Sequence, residues 1–160
     1  MADTDDTQVA GLIEELSGAS RRRRQLFRPE AQTRWEVLDA LSAVADVDAD
    51  AVAEAYDGAE ASLFDDGSAT VRLAAFVFLC RLGASSPERS DQVWQLLDEA
   101  IQCYHGDAEY RDMLVALLAV ARGNASDATK KALGARVKFD SESGSGYIKS
   151  FSAEIVQALS

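Results

Sequence analysis

Apolar residues recur along this chain at intervals of three and four, the period of an α-helix that hides one side and wets the other. Val93, Leu96, Leu97, Ala100, Ile101 and Tyr104 fall on one such face, and Val52, Ala55, Tyr56, Ala59 and Leu63 fall on another. A weaker stripe of Ala128, Ala132, Leu133 and Val137 predicts a helix over roughly Asp127 to Val137. Near the start, Val9, Leu12, Ile13 and Leu16 mark a short amphipathic helix broken at Gly18. Near the end, Ile148, Phe151, Ile155, Val156 and Leu159 mark another, over Tyr147 to Leu159. Between the Asp127–Val137 stripe and this final helix, the run from Asp140 to Gly146 is rich in Ser and Gly and reads as a flexible connector. A competing reading pairs Arg136 to Phe139 with Gly146 to Ile148 as a small β-hairpin.

Sliding the chain against itself exposes a repeat. The stretch from Thr33 to Leu41 aligns with Val71 to Leu79 and then with Tyr110 to Leu118. Arg34, Arg72 and Arg111 open the three copies, and apolar residues fill the third, fourth and seventh places after each. Each copy predicts one helix (A), followed by one of the amphipathic stretches above (B). The central A helix has Asp65, Asp66 and Ser68 as N-cap candidates before it and Gly83 as a left-handed stop behind it. Pro87 suits the first turn of the B helix that follows, where its missing N–H is harmless.

Three helical hairpins of about forty residues resemble the HEAT repeat. The closest unit runs from Asp65 through Val71, Arg72, Ala74 and Ala75 to Leu82 and Gly83, and matches the family's acidic turn, Val-Arg pair, small residues and closing Leu-Gly. The resemblance implies an all-α fold: a short right-handed α-solenoid of about three HEAT-like hairpins with N- and C-terminal capping helices. One domain is expected, with residues 1–28 as N-terminal cap and basic turn, 29–137 as repeats, and 138–160 as connector and C-terminal helix. It also implies that Arg34, Arg72 and Arg111, with Asp66 and Asp107, form a structural ladder between repeats.

Charge narrows the function classes. The formal net charge is −11, with only four lysines, Lys130, Lys131, Lys138 and Lys149. Phosphate affinity comes mainly from cations, so general nucleic-acid binding is disfavoured. The aspartate-rich, lysine-poor make-up resembles that of haloarchaeal proteins, a halophilic bias that speaks to habitat. The longest apolar run, Leu73 to Cys80, is far shorter than the roughly 20 residues a bilayer demands. The first residues are acidic where a secretory signal is basic, and a cytoplasmic location is expected. Reduced, core-filling cysteines at Cys80 and Cys103 follow from that setting.

The chemistry expected of an enzyme is sparse. His105 is the single histidine, in a turn with Gly106 and Asp107. Cys103 lies two residues before it without a group to order the pair. The run from Asp46 to Asp50 opens like a calcium loop but lacks the required glycine and closing glutamate, and fits a helix N-terminus instead. No cofactor and no metal are expected. The run Arg21, Arg22, Arg23 and Arg24 is a possible basic patch, or a turn paired with the protein's own carboxylates.

In a HEAT-like stack the B helices line the concave side. Their outward residues here are Glu54, Asp57, Asp91, Gln95, Asp98, Glu99 and Gln102, with Lys130 and Arg136 added by the third B helix, a mostly acidic, amide-rich surface suited to a basic or amphipathic protein segment. The expected function is a non-catalytic protein-protein interaction scaffold or regulatory adaptor. Two other HEAT-like families set the alternatives: DNA glycosylases, whose concave face is basic, and proteins that attach bilins to antenna proteins.

Overall fold

A computed structural model describes residues 8–14, 16, 31–45, 48–65 and 67–160, and every regular element among them is helical. A helical segment at residues 8–14 (α1) is followed by α2 (Ala31–Ala45), a 3-10 helix η1 (Asp50–Ala55), α3 (Tyr56–Asp65), α4 (Ala69–Ser85), α5 (Pro87–Tyr104), α6 (Tyr110–Arg122), α7 (Asp127–Ser143) and α8 (Gly146–Leu159). No strand occurs among these residues, and the stretch considered for a β-hairpin is helix on both sides of its turn. No helix among them is long and apolar enough to cross a membrane. The chain divides into two compact units, Met1–Leu79 and Cys80–Ser160, with the division inside α4.

In the first unit the predicted stripes are mostly buried, with Tyr56 half-buried. Val37, Leu38 and Leu41 of α2 are inside, as are Val52 and Ala55 of η1 and Ala59 and Leu63 of α3. α2 packs against η1, which runs directly into α3. The single B helix expected here therefore has a tighter opening turn, with Asp50 in its first turn where a carboxylate meets the positive end of the helix. Val9 and Leu16 are also buried, while Leu12 and Ile13 are half-buried.

α4 carries buried residues nearly all round, from Val71, Ala74, Ala75 and Phe76 to Phe78, Leu79, Cys80 and Leu82. Ser68 opens it as expected, its Oγ accepting the Val71 N–H at 3.4 Å. Its end differs from expectation: the helix continues past Gly83 to Ser85, whose hydroxyl donates to the Leu82 carbonyl at 2.6 Å. Gly83 serves packing rather than a left-handed stop, because a Cβ there would sit 2.9 Å from Val93 Cγ2 of α5. Left-handed glycines lie instead at Gly106, φ 82°, which turns the chain from α5 into α6, and at Gly146, φ 56°, which opens α8.

In the second unit the helices pack in alternation. α5 lies beside α7 and α6 beside α8, with α7 and α8 forming the tightest hairpin. α5 has Ser86 as N-cap, accepting the Arg89 N–H, and Pro87 in its first turn. α7 is capped by Ser126, whose Oγ accepts the Thr129 N–H at 3.0 Å. It runs six residues beyond the predicted end, so the expected flexible connector is the last turn of a helix plus Gly144 and Ser145. That turn holds because the Gly144 N–H donates to the Asp140 carbonyl at 3.0 Å and the Asp140 side chain is itself anchored. The inward residues of α7 are Thr129, Leu133 and Val137, while Ala128 is exposed and Ala132 half-buried.

Candidate functional site

The outward surface of α5 is set by its strong two-sidedness: Val93, Leu96, Leu97, Ala100 and Ile101 are buried on one side. On the other side stand the residues expected to greet a partner, and the structure sorts them into two groups. Asp91 and Asp98, seven residues apart and on one row of the helix, face α7. Asp91 Oδ1 accepts from the Ser126 hydroxyl and, at 3.1 Å, from the Thr129 hydroxyl. Asp98 accepts two hydrogen bonds from Arg136, one through Nε and one through Nη2 at 3.0 Å, the forked geometry a guanidinium favours. Arg136 is held still more firmly in its charged form, first by that hydrogen bond and then by the charge of Asp98. Gln102 also leans on Asp98, donating to its carbonyl and its carboxylate at 3.3 Å.

Two of the expected partner-binding acids thus tie α5 to α7. Gln95 and Glu99 remain exposed, on the same helix but outside these ties. Glu54 and Asp57 are exposed too, on η1 and α3, and belong to the first unit rather than to the α5 set. Burial, followed by the charges of Glu60 and Asp57, raises the Tyr56 phenol above its ordinary value, a sign of negative potential along that part of α3.

A second polar cluster closes the far end of α5. His105 Nε2 and Asp140 Oδ2 lie 2.8 Å apart, joining the α5–α6 turn to α7. The imidazole stands against Tyr110, with ring centroids 4.8 Å apart and planes tilted by 49°. Tyr110 is wholly buried, and its hydroxyl has no hydrogen-bond partner among the described residues. Burial pushes that phenol well above its ordinary value, reinforced by the charge of Asp140 and of Tyr147 and opposed by Arg136. Its environment holds the phenol neutral and protonated. Sequence alone shows His105 as a polar turn residue and gives no sign of this cluster, since Asp140 lies 35 positions away in the chain.

Cys103 is a correction: it is exposed, not core. It follows Glu99 by one helical turn, on the flank of α5 rather than on the stripe of Ala100 and Tyr104. Cys80 is buried, and burial pushes its thiol well up, so it stays protonated. Among the described residues no group of three or more His, Cys, Asp or Glu is arranged to hold a metal ion.

The three repeat arginines have unlike surroundings. Arg34 is buried in α2, Arg72 is half-buried in α4, and Arg111 is exposed at the start of α6. Arg111 lies over the Phe151 ring of α8, 5.6 Å from its centroid, and the nearby Asp107 shapes the turn, its backbone C=O accepting the Tyr110 N–H. The buried stripe of α6 is Tyr110, Met113, Leu114, Leu117, Leu118, Val120 and Ala121, which leaves Val115 at 48 % exposure where the repeat register calls for an inward residue. Asp66 and the run Arg21 to Arg24 lie outside the described residues. No family model, no curated protein and no solved structure matches the chain.

Proposed function

We propose that this chain is a HEAT-like helical-repeat protein that acts as a non-catalytic scaffold or adaptor, holding a basic or amphipathic segment of another protein on the outer face of α5. The alternation of α5 beside α7 and α6 beside α8 supports the repeat reading, since stacked hairpins place like helices side by side. The observation that carries the binding reading is the state of Gln95 and Glu99. They sit exposed on a helix whose aspartates, Asp91 and Asp98, are both engaged, on a rigid element well suited to present them. An acidic, amide-bearing helix face steers a cationic segment by charge and leaves affinity to a few apolar anchors. Adaptor action is the corollary: a surface that binds without converting.

The test is capture at native salt from host extract, with mass identification, comparing the intact chain with Gln95→Lys/Glu99→Lys. Loss of one defined protein from the variant, with circular dichroism unchanged, supports the reading. Capture of the same set by both proteins discards it.

A further inference from the structure

We propose that a groove on the opposite side of α7, between α7 and α8, receives an acidic amphipathic helix of another protein. The groove has a volume of about 540 Å³. Gly134 and Ala135 of α7 with Val156 and Leu159 of α8 give it an apolar floor, and Lys130, Lys131 and Lys138 edge it. Val156 is 37 % exposed there, a large apolar side chain left without cover.

Three features favour this occupant. The first is charge. The chain has four lysines against a net charge of −11, and three of the four stand on this one groove. None of the three ammonium groups pairs with a carboxylate among the described residues, although Asp127 and Glu142 lie at the two ends of the same groove. Unpaired cations gathered over an apolar floor in an otherwise acidic protein match an anionic, partly apolar visitor.

The second is length and register. The lining residues of α7 recur from Asp127 through Lys130, Lys131, Gly134, Ala135 and Lys138 to Glu142, a single face about four turns long. Such a stripe fits a helix laid alongside it better than a small molecule. Gly134 and Ala135 at mid-groove keep the surface low, so a helix backbone can approach closely.

The third is the pattern already present across α7. On its other side α7 accepts α5, an acidic helix whose Asp91 and Asp98 stand seven residues apart. The groove side repeats that spacing with the opposite sign, Lys131 and Lys138 being seven residues apart on one row. A partner helix bearing carboxylates two turns apart and a leucine or alanine stripe between them would meet both lysines and the floor. This surface is separate from the acidic face of α5, and its occupation does not depend on that face having a partner.

The experiment uses the full chain and a synthetic helical peptide roughly four turns long, with a Leu/Ala stripe flanked by glutamates. Its twin carries lysines in place of the glutamates. Binding is followed by fluorescence anisotropy and by amide chemical-shift changes. The glutamate peptide is expected to bind and to shift resonances of α7 and α8, and the lysine twin is not. Lys131→Glu/Lys138→Glu should weaken binding about tenfold or more, Lys131→Gln/Lys138→Gln less, and Val156→Ser a few-fold, with rising salt weakening the wild type. Equal binding of the two peptides, or no response to the lysine variants, overturns the proposal. So does uptake onto phosphatidylglycerol vesicles without peptide binding, which would assign the groove to a lipid surface. A change in the sedimentation of the protein alone on lysine reversal, again without peptide binding, would assign it to a second copy of the chain and overturn the proposal equally.

Discussion

The two sides of α7 make an instructive pair. Toward α5, each polar group has a counterpart: Ser126 and Thr129 with Asp91, Arg136 with Asp98, and Asp140 with His105. Toward the groove, Lys130, Lys131 and Lys138 have no carboxylate partner among the described residues. Both sides carry charge at similar helical spacing, yet one is part of the fold and the other is surface left over from it. Acidity alone does not distinguish Asp98 from Glu99, one residue apart, although the first is a tie between helices and the second is open to solvent.

Variants rank that contrast by size. The largest effect is expected from Ser90→Ala. Ser90 is fully buried, and its Oγ accepts the Ser126 N–H at 2.9 Å while donating to the Pro87 carbonyl. Removing it strands a backbone donor, and urea unfolding should show a loss of about 2 kcal/mol. Ser126→Ala removes the α7 cap and one of the two Asp91 ties, with an expected loss of about 1.5 kcal/mol by the same measurement.

Tyr110→Phe should act in the opposite sense, stabilising by about 1 kcal/mol at neutral pH because a buried hydroxyl without a partner among the described residues is removed. It also has a pH signature. The folded phenol lies above its ordinary value of 10.0, so its titration leaves stability unchanged below that value and lowers it as pH rises toward and through the folded one. Thermal melts above pH 10.0, where the window opens, should therefore fall faster for the wild type than for the Tyr110→Phe variant. Arg136→Gln should cost under about 1 kcal/mol and make stability less salt-dependent, since the Asp98 pair is partly exposed. Smallest of all, Lys131→Gln/Lys138→Gln should change stability by no more than about 0.5 kcal/mol, as expected for groups that the fold does not use.

Helices are legible in the sequence because burial imposes a period that survives in the chain. The stripes of α2, α3 and α5 can be read from the sequence, and Ser68 and Pro87 mark the starts of α4 and α5. What escapes is whatever depends on a distant neighbour. Gly83 reads as a stop when seen alone, yet Val93 is what needs its missing side chain. The Ser- and Gly-rich run after Lys138 reads as a linker, but His105 anchors Asp140 and the helix runs on. Asp98 falls on the correct face of α5 without any local sign that Arg136, 38 positions later, would meet it. The same holds for α6, whose register is set by burying Tyr110 rather than by the arginine beside it.

Carbodiimide labelling of carboxylates, read residue by residue with and without the captured partner, tests the central claim most directly. In the free protein Glu99 should label quickly while Asp91 and Asp98 label slowly, and binding should protect Glu99 and leave the other two unchanged. Equal labelling of Asp98 and Glu99 in the free chain, or a Glu99 rate indifferent to the partner, would contradict it.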